Sequence, residues 1–268
     1  MKKTIKFQTV SLGSDLTGKP GMDELKEWIR DRHHRGGDLL LFHLLRETGA
    51  QRAAGLDALC AGGPFYGDRI MNCLKGVRNS TITGELDIDE SPVISDMHEL
   101  ITEGYRFRLA VPAPHEYRLA DQYYGEPEEA LMALISLHRR LFREIRDAGI
   151  PGHVVIYQEP VIEEFESMAG KKIFFFNPSH TRPDLELLLE YQDTVAVSPA
   201  GLDLVIDMTG EYTVKGLVLL DPTAETITHA LRHWDPGNIA IGGYFHGQPD
   251  GYWDTIVSAS AYTVSLSE

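Results

Sequence analysis

The sequence predicts an α/β fold: a single (β/α)8 TIM barrel over residues 1–268. Three observations predict it. Short apolar runs alternate with helix-like segments along the chain, which favours a parallel sheet. Eight such runs can be read in 268 residues, and one barrel of this kind takes about 250. The segment 127–160 also has the form of a repeating barrel unit. Its apolar residues Leu131, Leu134, Ile135, Leu137, Leu141, Phe142 and Ile145 fall near helical spacing. A Gly-Ile-Pro-Gly break follows, and a β-branched run then ends in Gln158-Glu159-Pro160.

The eight runs are Ile5–Leu12, Leu56–Cys60, Arg106–Val111, Val154–Gln158, Ile173–Phe176, Thr194–Val197, Gly216–Leu220 and Ile239–Gly242. Helices are expected over Met22–Arg32 and Asp38–Thr48, before the second run, and over Pro92–Glu103 and Glu128–Asp147, before the third and fourth. Pro183–Tyr191 should follow the fifth run, starting at Pro183 or Asp184. Thr223–Trp234 should follow the seventh, capped by Asp221 or Thr223, whose side chains can accept from a free backbone N–H. No GxGxxG follows the first run, so the usual nucleotide signal of an open sheet is missing. Residues 79–90 are expected to form an inserted hairpin or lid. No linker or repeat divides the chain.

Charge and composition narrow the function classes. Asp and Glu number 40 against 25 Lys and Arg, a formal charge of −15, with 43% hydrophobic residues. That balance argues against a basic nucleic-acid face and against anionic membrane surfaces. The two cysteines, Cys60 and Cys73, form no Cys-x-x-Cys pair and are expected to stay reduced. Lys2 and Lys3 are followed by no apolar run of signal-peptide length, and no stretch approaches the roughly 18 apolar residues of a membrane span. A cytoplasmic protein with a small-molecule ligand is the expectation; the oligomeric state is left open.

In a barrel, chemistry sits where the strands end. Those ends read Gly13-Ser14-Asp15, Gly62-Gly63, Pro112–His115, Gln158-Glu159, Asn177–His180, Ser198, Asp221 and Tyr244–His246. The expected catalytic groups are Glu159, as carboxylate or general base, and His115 and His246, as proton shuttles near neutral pH. Gln158, Asn177, Ser198, Asp221 and Asp15 are the expected ligand-binding residues. Asn, Asp, Ser and Gly are also ordinary turn residues, which is the plainer account of each. His115, His180 and His246 could converge on a metal, with or without Glu159. No pair has the spacing of a helical HExxH site, and loop histidines without metal are the favoured account. Lys75, Arg78, Arg106 and Arg118 are the basic residues expected nearest the mouth.

Several segments resemble the cobalamin-independent methionine synthase family, within the barrel superfamily it shares with uroporphyrinogen decarboxylase. QTVSLGS (8–14) is similar to that family's opening strand and Gly-Ser turn. ETGAQRAAGLDALCAGGPFYGDRI (47–70) and LKGVRNSTITGEL (74–86) resemble the stretches that follow, and AVPAPHEY (110–117) its strand with a Gly-Pro turn. ALISLHRRLFREIRDAGIPGHVVIYQEPVIEE is similar to its helix and "iQiDEP" strand, and LVLLDPTAETITHALRHWDPGNIAIGG to its last two strands. The resemblance implies a methyltransferase-like barrel. It also implies a zinc held by a His-x-Cys after the fifth strand and a cysteine after the eighth. Here those places read FFFNPS and IGGYFHG, without cysteine, and Gln158 stands for the Asp of the DEP motif. A thiolate acceptor needs such a Lewis acid at neutral pH. Methyl transfer by the family's zinc-thiolate route is therefore not expected, no metal is expected, and no cofactor is assigned. The rival readings are a decarboxylase or lyase of the uroporphyrinogen decarboxylase type, and a non-catalytic binding or partner protein that kept the fold.

Overall fold

The computed structural model describes residues 2–16, 20–32, 36–247 and 251–265. All eight expected runs contain a strand, and each joins a parallel sheet. They are β2 (Gln8–Ser14), β3 (Leu59–Gly62), β6 (Phe107–Pro112), β8 (His153–Ile156), β9 (Ile173–Phe176), β10 (Thr194–Val197), β11 (Gly216–Leu220) and β12 (Ile239–Phe245). The first expected run is split at Phe7. Its front part belongs to β1 (Lys2–Lys6), which pairs antiparallel with β13 (Ala261–Ser265) near the other terminus. The second run is displaced: Leu56 and Asp57 are still in the approach to β3.

Helices separate the strands. They are α1 (Met22–Asp31), α2 (Leu39–Ala54), α3 (Gly67–Cys73), α4 (Ser91–Thr102), α5 (Pro127–Asp147), α6 (Ile162–Met168), α7 (Arg182–Tyr191), α8 (Leu202–Met208), α9 (Ala224–Ala230) and α10 (Tyr252–Ser260). Local chemistry sets several starts. Asp38 accepts from Leu41 N–H and opens α2, and Gly55 in the left-handed region closes it. Thr223 caps α9, as one of the two expected caps. For α7 the cap lies two residues before Pro183: Thr181 accepts from Asp184 N–H, and the Asp184 carboxylate accepts from Thr181 N–H. The short helices α3, α6, α8 and α10 have no long periodic stretch, and the sequence reading does not include them. No described helix is long and apolar enough to cross a membrane.

Hydrogen bonding divides the eight strands into two parallel sheets, β10-β11-β12-β2 and β3-β6-β8-β9. The hydrogen bonds among the described residues do not trace the one continuous closed ladder that the sequence predicts. Between β2 and β3 a single bridge, Val10 to Ala58, remains, and no ladder joins β9 to β10 among the described residues. A glutamine occupies each seam. Gln51, fully buried on α2, accepts from Cys60 N–H and donates to Cys60 C=O, both at 2.8 Å. Gln192 accepts from Phe175 N–H at 2.8 Å and donates to Phe175 C=O at 3.1 Å and Thr194 C=O at 2.7 Å. A primary amide has one acceptor oxygen and two N–H donors, so it can satisfy a strand residue as a neighbouring strand would.

Side chains alternate along each strand. One apolar cluster takes Leu12, Cys60, Ala110, Val154, Ile156, Phe176, Ala196, Val218, Leu220 and Tyr244, at least one from each of the eight strands. The other faces join the helices in a larger outer core. After β3 the chain makes an antiparallel hairpin, β4 (Leu74–Arg78) and β5 (Thr81–Ile88), extended by β7 (Ala120–Asp121). Asn79 and Ser80, both at positive φ, turn it. Arg140 of α5 fastens its base, with Nε on Glu90 at 2.7 Å and Nη2 on Asp87 at 2.6 Å and on Ile88 C=O at 3.0 Å.

Candidate functional site

The parallel strands bring their C-terminal ends to one side. There Gly13, Gly62 and Gly63 lie where two backbones meet. A Cβ on Gly63 would stand 1.8 Å from Ser14 O, and one on Gly13 would stand 2.8 Å from Ala110 Cβ. The glycines therefore serve backbone contact between β2 and β3, not the approach of a ligand.

Among the catalytic candidates, His115, in the turn after β6, lies between two carboxylates. Its backbone N–H donates to Glu164 Oε1 at 2.8 Å, and its Nδ1 lies 2.9 Å from Glu164 Oε2. Glu164 projects from α6 and its side chain is only 3% exposed. On the other side, His115 Nε2 lies 3.3 Å from Glu116 Oε1. That Glu116 oxygen also accepts from Gln158 N–H at 2.6 Å. Burial disfavours the proton on His115, but the hydrogen bond and charge of Glu164, with Glu116 adding to them, outweigh it and raise the imidazole pKa. The result is a carboxylate–imidazole–carboxylate chain that favours the protonated ring. It leads from a buried glutamate to a second one at a cavity wall.

That cavity holds about 490 Å³ and lies beyond the ends of β3, β6 and β8, bounded by Pro64, Pro112, Glu116, Tyr117, Arg118 and Gln158 among others. Ser80, at the tip of the β4–β5 hairpin, reaches its rim. Tyr117 is held from behind. His138 Nδ1–H donates to Leu134 C=O at 2.8 Å, so Nε2 is the acceptor for the Tyr117 hydroxyl at 3.2 Å. Burial, partly offset by the bond to Leu134, depresses the His138 pKa to about 4 and keeps that ring neutral. Such an arrangement can offer a proton at the wall, accept one, and attract a cationic group to Glu116.

The other expected site residues are dispersed. Glu159 is exposed, has no recorded ion pair or hydrogen bond, and does not border the cavity. The chain turns outward at Gln158-Glu159-Pro160, so this expected catalytic carboxylate faces solvent. Neither Arg106 nor Arg108 can serve as its partner, because both lie at the start of β6, the opposite end of the sheet. Of the basic residues expected at the mouth, only Arg118 borders the cavity. Gln158 contributes its backbone: the N–H reaches Glu116 and the C=O accepts from buried Asn177 at 2.9 Å. Ser198 is half-buried before α8.

A second group forms beyond β11 and β12. Asp221 Oδ1 accepts from the Tyr252 hydroxyl at 2.7 Å, which in turn accepts from Tyr244 N–H at 2.9 Å. His246 Nδ1 lies 3.1 Å from Asp15 Oδ2, with its side chain 61% exposed. His180 turns into the strand ends, bonding Ala196 C=O at 3.0 Å, and burial lowers its pKa. His33 and His34 lie outside the described residues. Sequence reasoning missed Glu116, Glu164, Tyr117 and His138. Glu116 adjoins a chosen histidine and was the most accessible of these; nothing in the sequence pairs residue 115 with residue 164.

The donor set does not suit the zinc site implied by the resemblance. No group of three or more His, Cys, Asp or Glu side chains among the described residues is placed to hold a metal ion. Burial pushes the Cys60 thiol up to about 12 and the Cys73 thiol up to about 11, so neither is a ready thiolate. Cys60 packs among the inner apolar residues and Cys73 in the outer core, on different layers.

No protein-family model matches this sequence, and no curated protein matches it. Solved structures do match by shape. A B12-independent methionine synthase from Shewanella sp. W3-18-1, in complex with selenomethionine, superposes with a TM-score of 0.62 at 13% identity, covering 95% of this chain and 96% of that one. A putative vitamin-B12 independent methionine synthase from Listeria monocytogenes gives a TM-score of 0.61 at 14% identity, covering 94% of each chain. At these identities the likeness is one of fold: an α/β protein with parallel sheets, built like these methionine synthases.

Proposed function

We propose that this protein is a methyltransferase-like barrel enzyme acting on a small polar metabolite, with its site at the cavity beside Glu116. Its two sheets would then be halves of one (β/α)8 barrel, with Gln51 and Gln192 sealing the seams. Support for closure comes from the inner cluster, which draws on all eight strands. The observation that carries the function is the His115 imidazole held between the Glu164 and Glu116 carboxylates at the C-terminal end of a strand. A titratable ring paired with specific carboxylates beside a cleft is a candidate for proton transfer. Glu164 fixes the Nδ1–H tautomer, and Glu116 is the group a ligand would meet. Arg118 and the hairpin tip would act as a rim or lid. The zinc-thiolate route has no matching donors here, so the reaction rests on acid–base chemistry and on placement of the reactants.

The test begins with a thermal-shift screen of folates, corrinoids, thiols and porphyrinogens. A ligand at 100 times its dissociation constant stabilises by about 2.7 kcal/mol. Glu116→Gln should then abolish the shift or weaken binding at least tenfold. A ligand that binds equally well to Glu116→Gln would place the site elsewhere. One that binds at Glu116 without turnover, with His115→Gln unaltered, would favour the binding-protein reading.

A further inference from the structure

A cavity of about 860 Å³ lies at the other end of the sheet, among the loops that lead into β8, β9, β10 and β11. Its charge runs against that of the molecule. In a chain of formal charge −15, this cavity is bordered by Arg108, Lys171, Lys172 and Lys215, against only Glu190 and Asp193. Lys215 is paired with Asp193 at 2.8 Å. Arg108, Lys171 and Lys172 have no ion pair and no side-chain hydrogen bond among the described residues. Strand alternation makes Arg108 the unusual member. Its neighbours Leu109 and Phe107 face the outer core, while Ala110 faces the inner cluster, so Arg108 starts from the inner face at the base of the strands, where its side chain is exposed to solvent on the cavity wall. A guanidinium there, without an acid, leaves its planar set of donors unused.

The positive region continues outward. An adjoining cavity of about 490 Å³ shares Ile173 and is bordered by Arg139, Arg143 and Arg146 of α5, with no acidic residue on its wall. None of these three arginines has an ion pair among the described residues, whereas Arg140, also on this wall, is paired with Asp87 and Glu90.

We propose that the base of the sheet binds a compact multivalent oxyanion, of the class of an oligophosphate or a tricarboxylate. Arg108 would grip it bidentately from the cavity wall, and Lys171 and Lys172 would neutralise it from the loop. Charge-assisted bonds of this kind are the strong ones, and Arg suits planar oxyanion geometry. The overall negative charge repels anions at long range, so binding must come from these local contacts and weaken as salt screens them. This site is separate from the Glu116 cavity and does not depend on what happens there.

The experiment is isothermal titration of the full chain with sodium tripolyphosphate, and separately with citrate, at fixed ionic strength. Saturable 1:1 binding of either anion is expected, and which one binds identifies the source of the oxyanion. Arg108→Gln should weaken it at least tenfold. The double variant Lys171→Gln/Lys172→Gln should do the same, and since both lysines are exposed it keeps the test valid if Arg108→Gln misfolds. Lys26→Gln, a surface cation on α1, should change nothing. Absence of saturable binding for both anions would overturn the proposal. So would affinity unchanged in the lysine pair and in a folded Arg108→Gln.

Discussion

Gln51→Leu is the sharpest test of how the two sheets are joined. Gln51 is fully buried and is the hydrogen-bond partner of both Cys60 N–H and Cys60 C=O at the β2–β3 seam. Leucine keeps roughly the volume and removes both bonds. Each orphaned buried polar group costs about 1–3 kcal/mol, so two cost about 2–6 kcal/mol. Added apolar burial returns about 1–2 kcal/mol, leaving a net loss of ~3 kcal/mol. For a domain of this size that is about 6–12 °C in melting temperature, at about 2–4 °C per kcal/mol. Gln192→Leu at the other seam should cost less, about 1 kcal/mol, because Gln192 is only half-buried and water can reach its partners. The assay is thermal unfolding by circular dichroism, with hydrogen exchange at the Cys60 amide as a local probe. A fall below 2 °C for Gln51→Leu, or a larger fall for Gln192→Leu, would refute the claim that Gln51 replaces missing ladder bonds in a dry interior.

Three further outcomes follow from the site and its surroundings. The His115 pKa is raised above its ordinary 6.5 in the folded state, so its contribution to stability is fully present below about pH 6.5 and is lost as pH rises through the raised value. Melting temperatures of wild type and His115→Gln from pH 6 to 9 should therefore converge as pH rises; parallel curves would contradict the ion-pair network. Gly63→Ala should give little folded protein, because its Cβ would meet Ser14 O at 1.8 Å, backbone against backbone, at a φ of +154°; soluble expression with an unchanged melting temperature would show that the two strand ends can separate. Glu159→Gln should leave stability within about 0.5 kcal/mol, as for exposed groups without partners, and should leave ligand binding at the Glu116 cavity unchanged; a loss of binding would return Glu159 to the site.

The sequence by itself determined the alternation of strands and helices. Apolar runs of strand length and a helical period in 127–149 reflect which faces each element must bury, and that information is local. Thr223 and Asp38 mark helix starts for the same reason: a cap serves N–H groups two or three residues away. The position of His115 after β6 was legible too, since a polar residue that follows a buried strand must lie at its end. Only the tertiary structure decided which polar residues meet. Glu164 comes 49 residues after His115, and their contact depends on α6 packing beside the turn after β6. Glu159 carried the strongest motif in the sequence, yet β8 ends at Ile156, two residues before the expected Gln158, and beyond the strand the bend after Tyr157 rather than strand alternation sets its direction, toward solvent. The seams show the same limit. Gln51 and Gln192 are ordinary helix-end glutamines in sequence, and their role as substitutes for a strand follows from the gap that each one fills.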